Sequence, residues 1–189
     1  MNHHQALQIE ETGFGKGVFT TSDLRPGTFL IEMTGPKLRP HEIPPVSQRE
    51  IMDHYIQCAE DMFLGPSGNI DDLFNHSCEP NAGHFFAKNT ILVKAIKRIP
   101  AKTQIYIDYS TVITCDPLIM KCYCQTKSCR GEVRDFRLLP VRVRSHYIAL
   151  GIVPHYAIAS CSSGSDKKPP TCNSQSFRYN PSGLATSSA

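Results

Sequence analysis

Two short runs of this 189-residue chain carry residue types that can do chemistry. In one, Cys122-Tyr123-Cys124 is followed after four residues by Cys129, with Lys121, Lys127 and Arg130 alongside. Three thiols this close, beside cations that favour thiolates, suit a soft metal. Zinc is the natural choice, because a tetrahedral thiolate site satisfies it without redox chemistry. A closed structural zinc site takes four ligands, so one is missing locally. Cys115 is nearest in sequence, His76 and Cys78 are the distant candidates, and spacing does not choose among them. The other run, Phe74-Asn75-His76-Ser77-Cys78-Glu79-Pro80-Asn81, sets hydrogen-bonding side chains between apolar stretches and is closed by a proline. Taken alone it is a polar loop with one helical turn.

The elements that must hold these runs are mainly short strands separated by turn residues. Gly17 to Thr20 and Thr28 to Glu32 are predicted strands around an Arg25-Pro26-Gly27 turn, and further strands are predicted over Ala82 to Phe86, Thr90 to Ala95 and Gln104 to Asp108. A helix is predicted over 47–56, with Ser47 as N-cap and Glu50 at its third position, and a second over Val141 to Leu150, ahead of Gly151. A Cys-x-Cys in an extended segment points its sulfurs to opposite sides, so the cysteine run requires a tight local turn. No internal repeat is present. From Ser160 onward Ser, Gly, Pro, Lys and Asn dominate, a composition that buries too little apolar area to offset ordering entropy; a disordered tail is expected there.

With 40% hydrophobic residues the chain can bury one ordinary core. A net charge of +3 is too mild for phosphate neutralisation, so no direct nucleic-acid binding is expected; Lys94, Lys97, Arg98 and Lys102 read as a solvated face. Met1 to Glu10 has no apolar stretch of secretory length and nowhere do apolar residues run far enough to cross a membrane, so an intracellular protein of cytoplasm or nucleus is expected, with its eight cysteines as thiols or metal ligands.

Four stretches, in order, resemble the SET-domain protein lysine methyltransferases. Gly13-Phe14-Gly15-Lys16-Gly17-Val18-Phe19 resembles the family's first glycine-rich strand and Asn75-His76-Ser77-Cys78 its signature. Gln104-Ile105-Tyr106-Ile107-Asp108-Tyr109 resembles the later strand ending in Asp-Tyr, and Cys122 to Gly131 the post-SET zinc segment. The resemblance covers roughly residues 6 to 131. It implies a mostly β SET fold, short sheets with a pseudoknot-like threading, followed by a post-SET zinc segment and a C-terminal helix. The organisation it suggests is a SET domain over 6–112, the zinc segment over 113–136, a helical extension over 137–158 and the tail over 159–189.

The resemblance also implies roles. Gly15, Lys16 and Gly17 bring backbone up to S-adenosylmethionine, the Asn75 side chain holds its methionine amine and the His76 backbone meets its adenine. Cys78 becomes the fourth zinc ligand, joining Cys122, Cys124 and Cys129. Tyr109 matches the catalytic tyrosine; Tyr55 aligns with a second tyrosine of the lysine channel and Phe136 with an aromatic that caps it, and either of these two is equally readable as core. The substrate is then a lysine of a protein or peptide, histone or otherwise. The family pattern is not kept everywhere: Asp72 stands where arginine is common, Lys102-Thr103-Gln104 replaces Gly-Glu-Glu, and Ile107 replaces the Phe or Tyr that sets methylation multiplicity, which favours more than monomethylation. Degraded motifs are the sign of the competing reading, a catalytically silent SET scaffold that binds protein.

Overall fold

A computed structural model describes residues 6–44, 55–87, 90–114 and 120–162. In chain order the strands are β1 (Leu7–Thr12), β2 (Gly15–Thr20), β3 (Phe29–Met33), β4 (Lys37–Leu38), β5 (Ile56–Ala59), β6 (Met62–Leu64), β7 (Asn75–His76), β8 (Ala82–Ala87), β9 (Thr90–Ala95), β10 (Tyr106–Ile107), β11 (Met120–Lys121) and β12 (Glu132–Val133). Two helices follow, α1 (Val141–Ala149) and α2 (His155–Ser162). The strands make small sheets: the hairpin β1-β2, the three-stranded orders β3-β9-β8 and β4-β6-β5, the hairpin β11-β12, and a parallel pair β7-β10. That parallel pair needs a long crossover, which the β8-β9 hairpin supplies, and it is the local form of the expected threading.

The predicted turn at Arg25-Pro26-Gly27 forms: Thr28 N–H donates to the Arg25 carbonyl at 3.1 Å, and Gly27 takes φ +83°. β9 shows why the strand pattern was legible, since Ile91, Val93 and Ala95 alternate inward with a period of two. These residues join Val18, Leu30, Ile31, Ile99, Ile105 and Ile107 in a first core. A second core lies between the helices and β8, where Phe136, Leu139, Tyr147, Ile152 and Ala157 pack with Phe85 and Ile96. Gly83 permits that close approach, for a Cβ on it would stand 2.5 Å from Ile152 Cγ2. The basic run is surface: Lys97, Arg98 and Lys102 are exposed, and Arg98 pairs with Asp23 at 2.5 Å.

Four expectations change. The helix over 47–56 falls mostly on 47–54, outside the described residues, but its end is corrected: Tyr55 lies outside any regular element and Ile56 opens β5. The strand over 104–108 shrinks to Tyr106–Ile107, because Gln104 bridges to Phe19 and Ile105 N–H donates to Val18 at 2.7 Å, so this stretch passes from one sheet to another. Residues 159–162, expected in the tail, belong to α2; residues 163–189 lie outside the described residues. Of the two readings of Phe136, the core one replaces the channel cap: the ring is fully buried in the second core.

One core residue makes stability depend on acid. His84 of β8 is 1% exposed, and neither ring nitrogen has a hydrogen-bond partner among the described residues. Burial disfavours the imidazolium and brings its pKa down to about 4. The unfolded chain therefore takes up a proton between about pH 6.5 and 4 that the folded chain refuses, and stability falls as pH is lowered through that window. Urea unfolding across this range is expected to lose about 1.4 kcal/mol per pH unit less in His84→Leu than in the parent chain. An unchanged slope would contradict the assignment.

Candidate active site and metal centre

Parallel pairing of β7 with β10 sets Tyr106 opposite Asn75 and Ile107 opposite His76, so the residue two beyond β10, Tyr109, arrives beside the His76 ring. The Tyr109 N–H donates to His76 Nδ1 at 3.2 Å, the two rings lie 5.3 Å apart, and the Tyr109 hydroxyl donates to the Phe74 carbonyl at 2.7 Å. Accepting at Nδ1 requires a neutral imidazole protonated at Nε2. Burial provides it: desolvation brings the His76 pKa down to about 4, with Arg130 adding to the shift and Asp108 opposing it. The contact of 3.5 Å between His76 Nδ1 and Asp108 is therefore not an ion pair at neutral pH. His76 Nε2 lies 3.5 Å from Cys78 Sγ, so one ring touches both the tyrosine and a thiol of the metal cluster.

The glycine hairpin is drawn against β7 by one side chain. Asn75 Nδ2 donates to the Lys16 carbonyl at 3.0 Å, and Gly17 lies so close that a Cβ there would collide with the Gln104 amide and stand 3.0 Å from Asn75 Nδ2. Gln104 is itself held, accepting from the Tyr106 hydroxyl at 2.6 Å. Gly15, Lys16, Gly17, Asn75 and His76 thus form one strip where β2 meets β7. With Asn75 Nδ2 engaged, its amide oxygen is left to accept from an ammonium, and the neighbouring Gly15 and Lys16 are exposed. These residues fit an amino-acid-bearing cofactor. Phe14 and Tyr123 stack across the strip at 6.0 Å, with Lys121 Nζ 5.3 Å from the Tyr123 ring, and so join the glycine hairpin to the cysteine run.

Cys78, Cys122, Cys124 and Cys129 lie with their sulfurs all within 4.8 Å of one another. The Cys78–Cys122 and Cys122–Cys129 separations of 3.7 and 3.8 Å match the edge of about 3.8 Å that Zn–S bonds of ~2.3 Å give a tetrahedron. The local turn of Cys-x-Cys shows in the Cys124 N–H, which points back to Cys122 Sγ at 3.5 Å; Gln125, at φ +54°, bends the chain after it, and Cys122 N–H to the Gly131 carbonyl and Cys129 N–H to the Thr126 carbonyl close the loop. Burial pushes the Cys78 thiol up to about 11 and Cys122 higher still; burial also opposes Cys124, but hydrogen bonding to Thr126 brings it down to about 6. Four thiols so placed ionise together only around a dication, and the donor set fits zinc. Cys115 lies outside the described residues.

The two motifs share packing as well as position. Tyr109 lies against the cluster of Cys78, Cys122 and Val133, and Glu79 accepts from the Ser128 N–H at 2.9 Å. Tyr55 precedes β5 and is half-buried; its neighbour Ile56 and Tyr109 pack on the same first core. Ile107 faces that core and is 3% exposed. Asp72 does not need the absent arginine: it accepts from the Ser67 and Gly68 N–H groups at 3.1 and 2.7 Å, while Asp71 accepts from Thr34, and together they set the loop that enters β7. Motif reading missed three contributors, the buried Asp108 carboxylate, Arg130 and Tyr147. Asp108 carried a signal only as the residue before Tyr109, and Arg130 only as a cation beside the thiols; neither pointed to the pairing of the two or to Tyr147.

Comparison with known proteins bears on this geometry. A family model described as the SET domain matches residues 15–110. The histone-lysine N-methyltransferase ASHH2 of Arabidopsis thaliana is 28% identical over 130 residues, 63% of this chain and 7% of that protein. The histone-lysine N-methyltransferase TRX1 of Oryza sativa subsp. japonica is 30% identical over 134 residues, 64% of this chain and 13% of its own length. The chain thus spans only about a tenth of the length of these curated relatives. Among solved structures, KRYPTONITE in complex with mCHG DNA and SAH superposes with a TM-score of 0.55 at 17% identity, covering 67% of this chain and 28% of that one. SUVH6 of Arabidopsis thaliana in complex with SAM gives 0.56 at 20% identity, covering 67% and 32%. At such identities the superpositions establish the fold.

Proposed function

Since the chain belongs to the SET-domain family, we propose that it transfers a methyl group from S-adenosylmethionine to the side-chain amine of a lysine in a protein or peptide. The observation that supports this reading is the β7-β10 pairing, which brings Asn75 and His76 beside the strand that leads into Tyr109.

When bound, S-adenosylmethionine supplies a methyl already activated on a sulfonium. The chain's own tasks are to hold it, align it and deliver a neutral amine. Gly15, Lys16 and Gly17 present backbone to the methionine portion, the Asn75 amide takes its ammonium, and the His76 backbone borders the adenine. A lysine ammonium must lose its proton before its lone pair can attack, which at pH 7 costs about 4–5 kcal/mol in water. An apolar channel reduces that cost by disfavouring the charged form. Tyr109, with its hydroxyl fixed on the Phe74 carbonyl, orients the amine for in-line attack, where alignment is a large part of the rate. Tyr55 is read as a second wall of that channel. Zinc held by Cys78, Cys122, Cys124 and Cys129 is structural. Partners are lysine-bearing proteins, histone or not, in nucleus or cytoplasm; neither nucleic acid nor membrane enters this reading, and no helix among the described residues is long and apolar enough to cross a membrane.

Calorimetry with S-adenosylmethionine tests the cofactor half. The parent chain is expected to bind, and Gly17→Ala, which forces a Cβ against Gln104 and Asn75, to bind about tenfold more weakly. A folded parent chain that does not bind would replace this reading with the silent, protein-binding scaffold.

A further inference from the structure

The Asp108 carboxylate is 1% exposed, and a buried carboxylate must find donors. Its donors come from three separate parts of the chain. Oδ1 accepts from the Ser110 N–H at 3.0 Å and from Arg130 Nη2 at 2.9 Å, while Oδ2 accepts from Arg130 Nη2 at 2.8 Å and from the Tyr147 hydroxyl at 2.8 Å. Ser110 belongs to the single turn that Tyr109 opens, with Asp108 as its N-cap. Arg130 follows the last cysteine of the metal cluster, and its backbone N–H lies 3.4 Å from Cys78 Sγ. Tyr147 comes from helix α1, well past the segment that matches the family model. It is 3% exposed, and its hydroxyl also approaches the Cys78 carbonyl at 3.4 Å, so it reaches between the Asn-His-Ser-Cys loop and Asp108.

The backbone of Tyr109 is thereby held from two sides. Its own N–H is fixed on His76, and the turn it opens is capped by a carboxylate whose rotamer depends on Tyr147 and Arg130. Removing the Tyr147 hydroxyl takes one of two donors from Oδ2, so that the orientation of the carboxylate then rests on Arg130 and the Ser110 N–H alone. We propose that Tyr147 is a positioning residue for Tyr109, acting through Asp108, and that helix α1 is in this way part of the active site. Its consequence for turnover rests on the methyl-transfer reading above; the coupling between Tyr147 and Tyr109 does not.

Tyr147→Phe in the full chain is the test, because it deletes one oxygen and keeps the ring in the second core. Ile152→Val is the control: it trims the same core beside Gly83 without touching Asp108. In Tyr147→Phe, kcat is expected to fall about tenfold or more with KM for S-adenosylmethionine within about twofold, and the Tyr109 amide to exchange its hydrogen about fivefold faster or more. Ile152→Val is expected to lower Tm with kcat and Tyr109 exchange unchanged. Parent-like kcat and Tyr109 exchange in Tyr147→Phe, or the same losses in both variants, would overturn the proposal. If the parent chain methylates no lysine, exchange alone decides: faster Tyr109 exchange confined to Tyr147→Phe upholds the coupling while methyl transfer fails, and unchanged exchange overturns the coupling.

Discussion

Tyr109→Phe is expected to leave a folded, zinc-loaded, cofactor-binding protein whose kcat has dropped about a hundredfold or more. The ring keeps its place against His76, Cys78 and Val133, so packing is conserved. What disappears is the hydroxyl that donates to the Phe74 carbonyl at 2.7 Å, the one polar atom of the ring and the atom proposed to meet the amine. The stability cost is that of one hydrogen bond, about 1 kcal/mol, because the carbonyl left behind loses its donor. Turnover suffers far more, since a methyl transfer from an activated donor depends on alignment and an unanchored amine samples many unproductive directions. The loss belongs in kcat, with KM for S-adenosylmethionine nearly unchanged, as Asn75 and the glycine strip are untouched. Parent-like kcat would remove Tyr109 from the reacting centre.

Cys78→Ser is expected to abolish both zinc loading and activity. The parent chain should carry about one zinc per chain by elemental analysis. Cys78 is the ligand that couples the sites: it lies three residues after Asn75, its sulfur is 3.5 Å from His76 Nε2 and 3.7 Å from Cys122 Sγ, and it accepts from the Arg130 N–H. The other three thiols sit in a run whose only regular structure is the two-residue hairpin β11-β12, too short to hold itself together. A structural zinc supplies on the order of 10 kcal/mol to such a segment, so losing one of four thiolates unfastens it from the loop that bears Asn75 and His76. Activity and Tm should fall together, while Cys115→Ser keeps both, because four sulfurs within 4.8 Å already complete a tetrahedron. Full zinc content in Cys78→Ser would move the fourth ligand and uncouple the two motifs.

How far the molecule could be read from its residues follows from the range of the forces involved. β9 was legible because Ile91, Val93 and Ala95 alternate against a single core, and helix α1 because Gly151, at φ +70°, stops it. The stretch 104–108 was over-read as one strand, since its residues bond in turn to Phe19, Val18, Asn81 and His76 from different sheets, and alternation alone does not reveal a segment that changes partners. Cys78 joined the other cysteines through the family resemblance, and the sulfur separations now support that choice on geometry. Phe136 was readable as a channel aromatic or as core, and only the second core built by α1 and α2 separates the two. The donors of Asp108 lie 22 and 39 residues away, and no periodicity links them; only the folded chain brings Arg130 and Tyr147 to one carboxylate.

The central claim, that one buried loop joins a cofactor strip to a lysine-directed tyrosine, is tested most directly by incubating the zinc-loaded chain with methyl-labelled S-adenosylmethionine and a protein array, then locating the label by mass spectrometry. The account predicts label on lysine side chains from the parent chain and none above background from Tyr109→Phe. A parent chain that binds the cofactor yet labels no lysine, or a Tyr109→Phe chain that labels as the parent does, would contradict it.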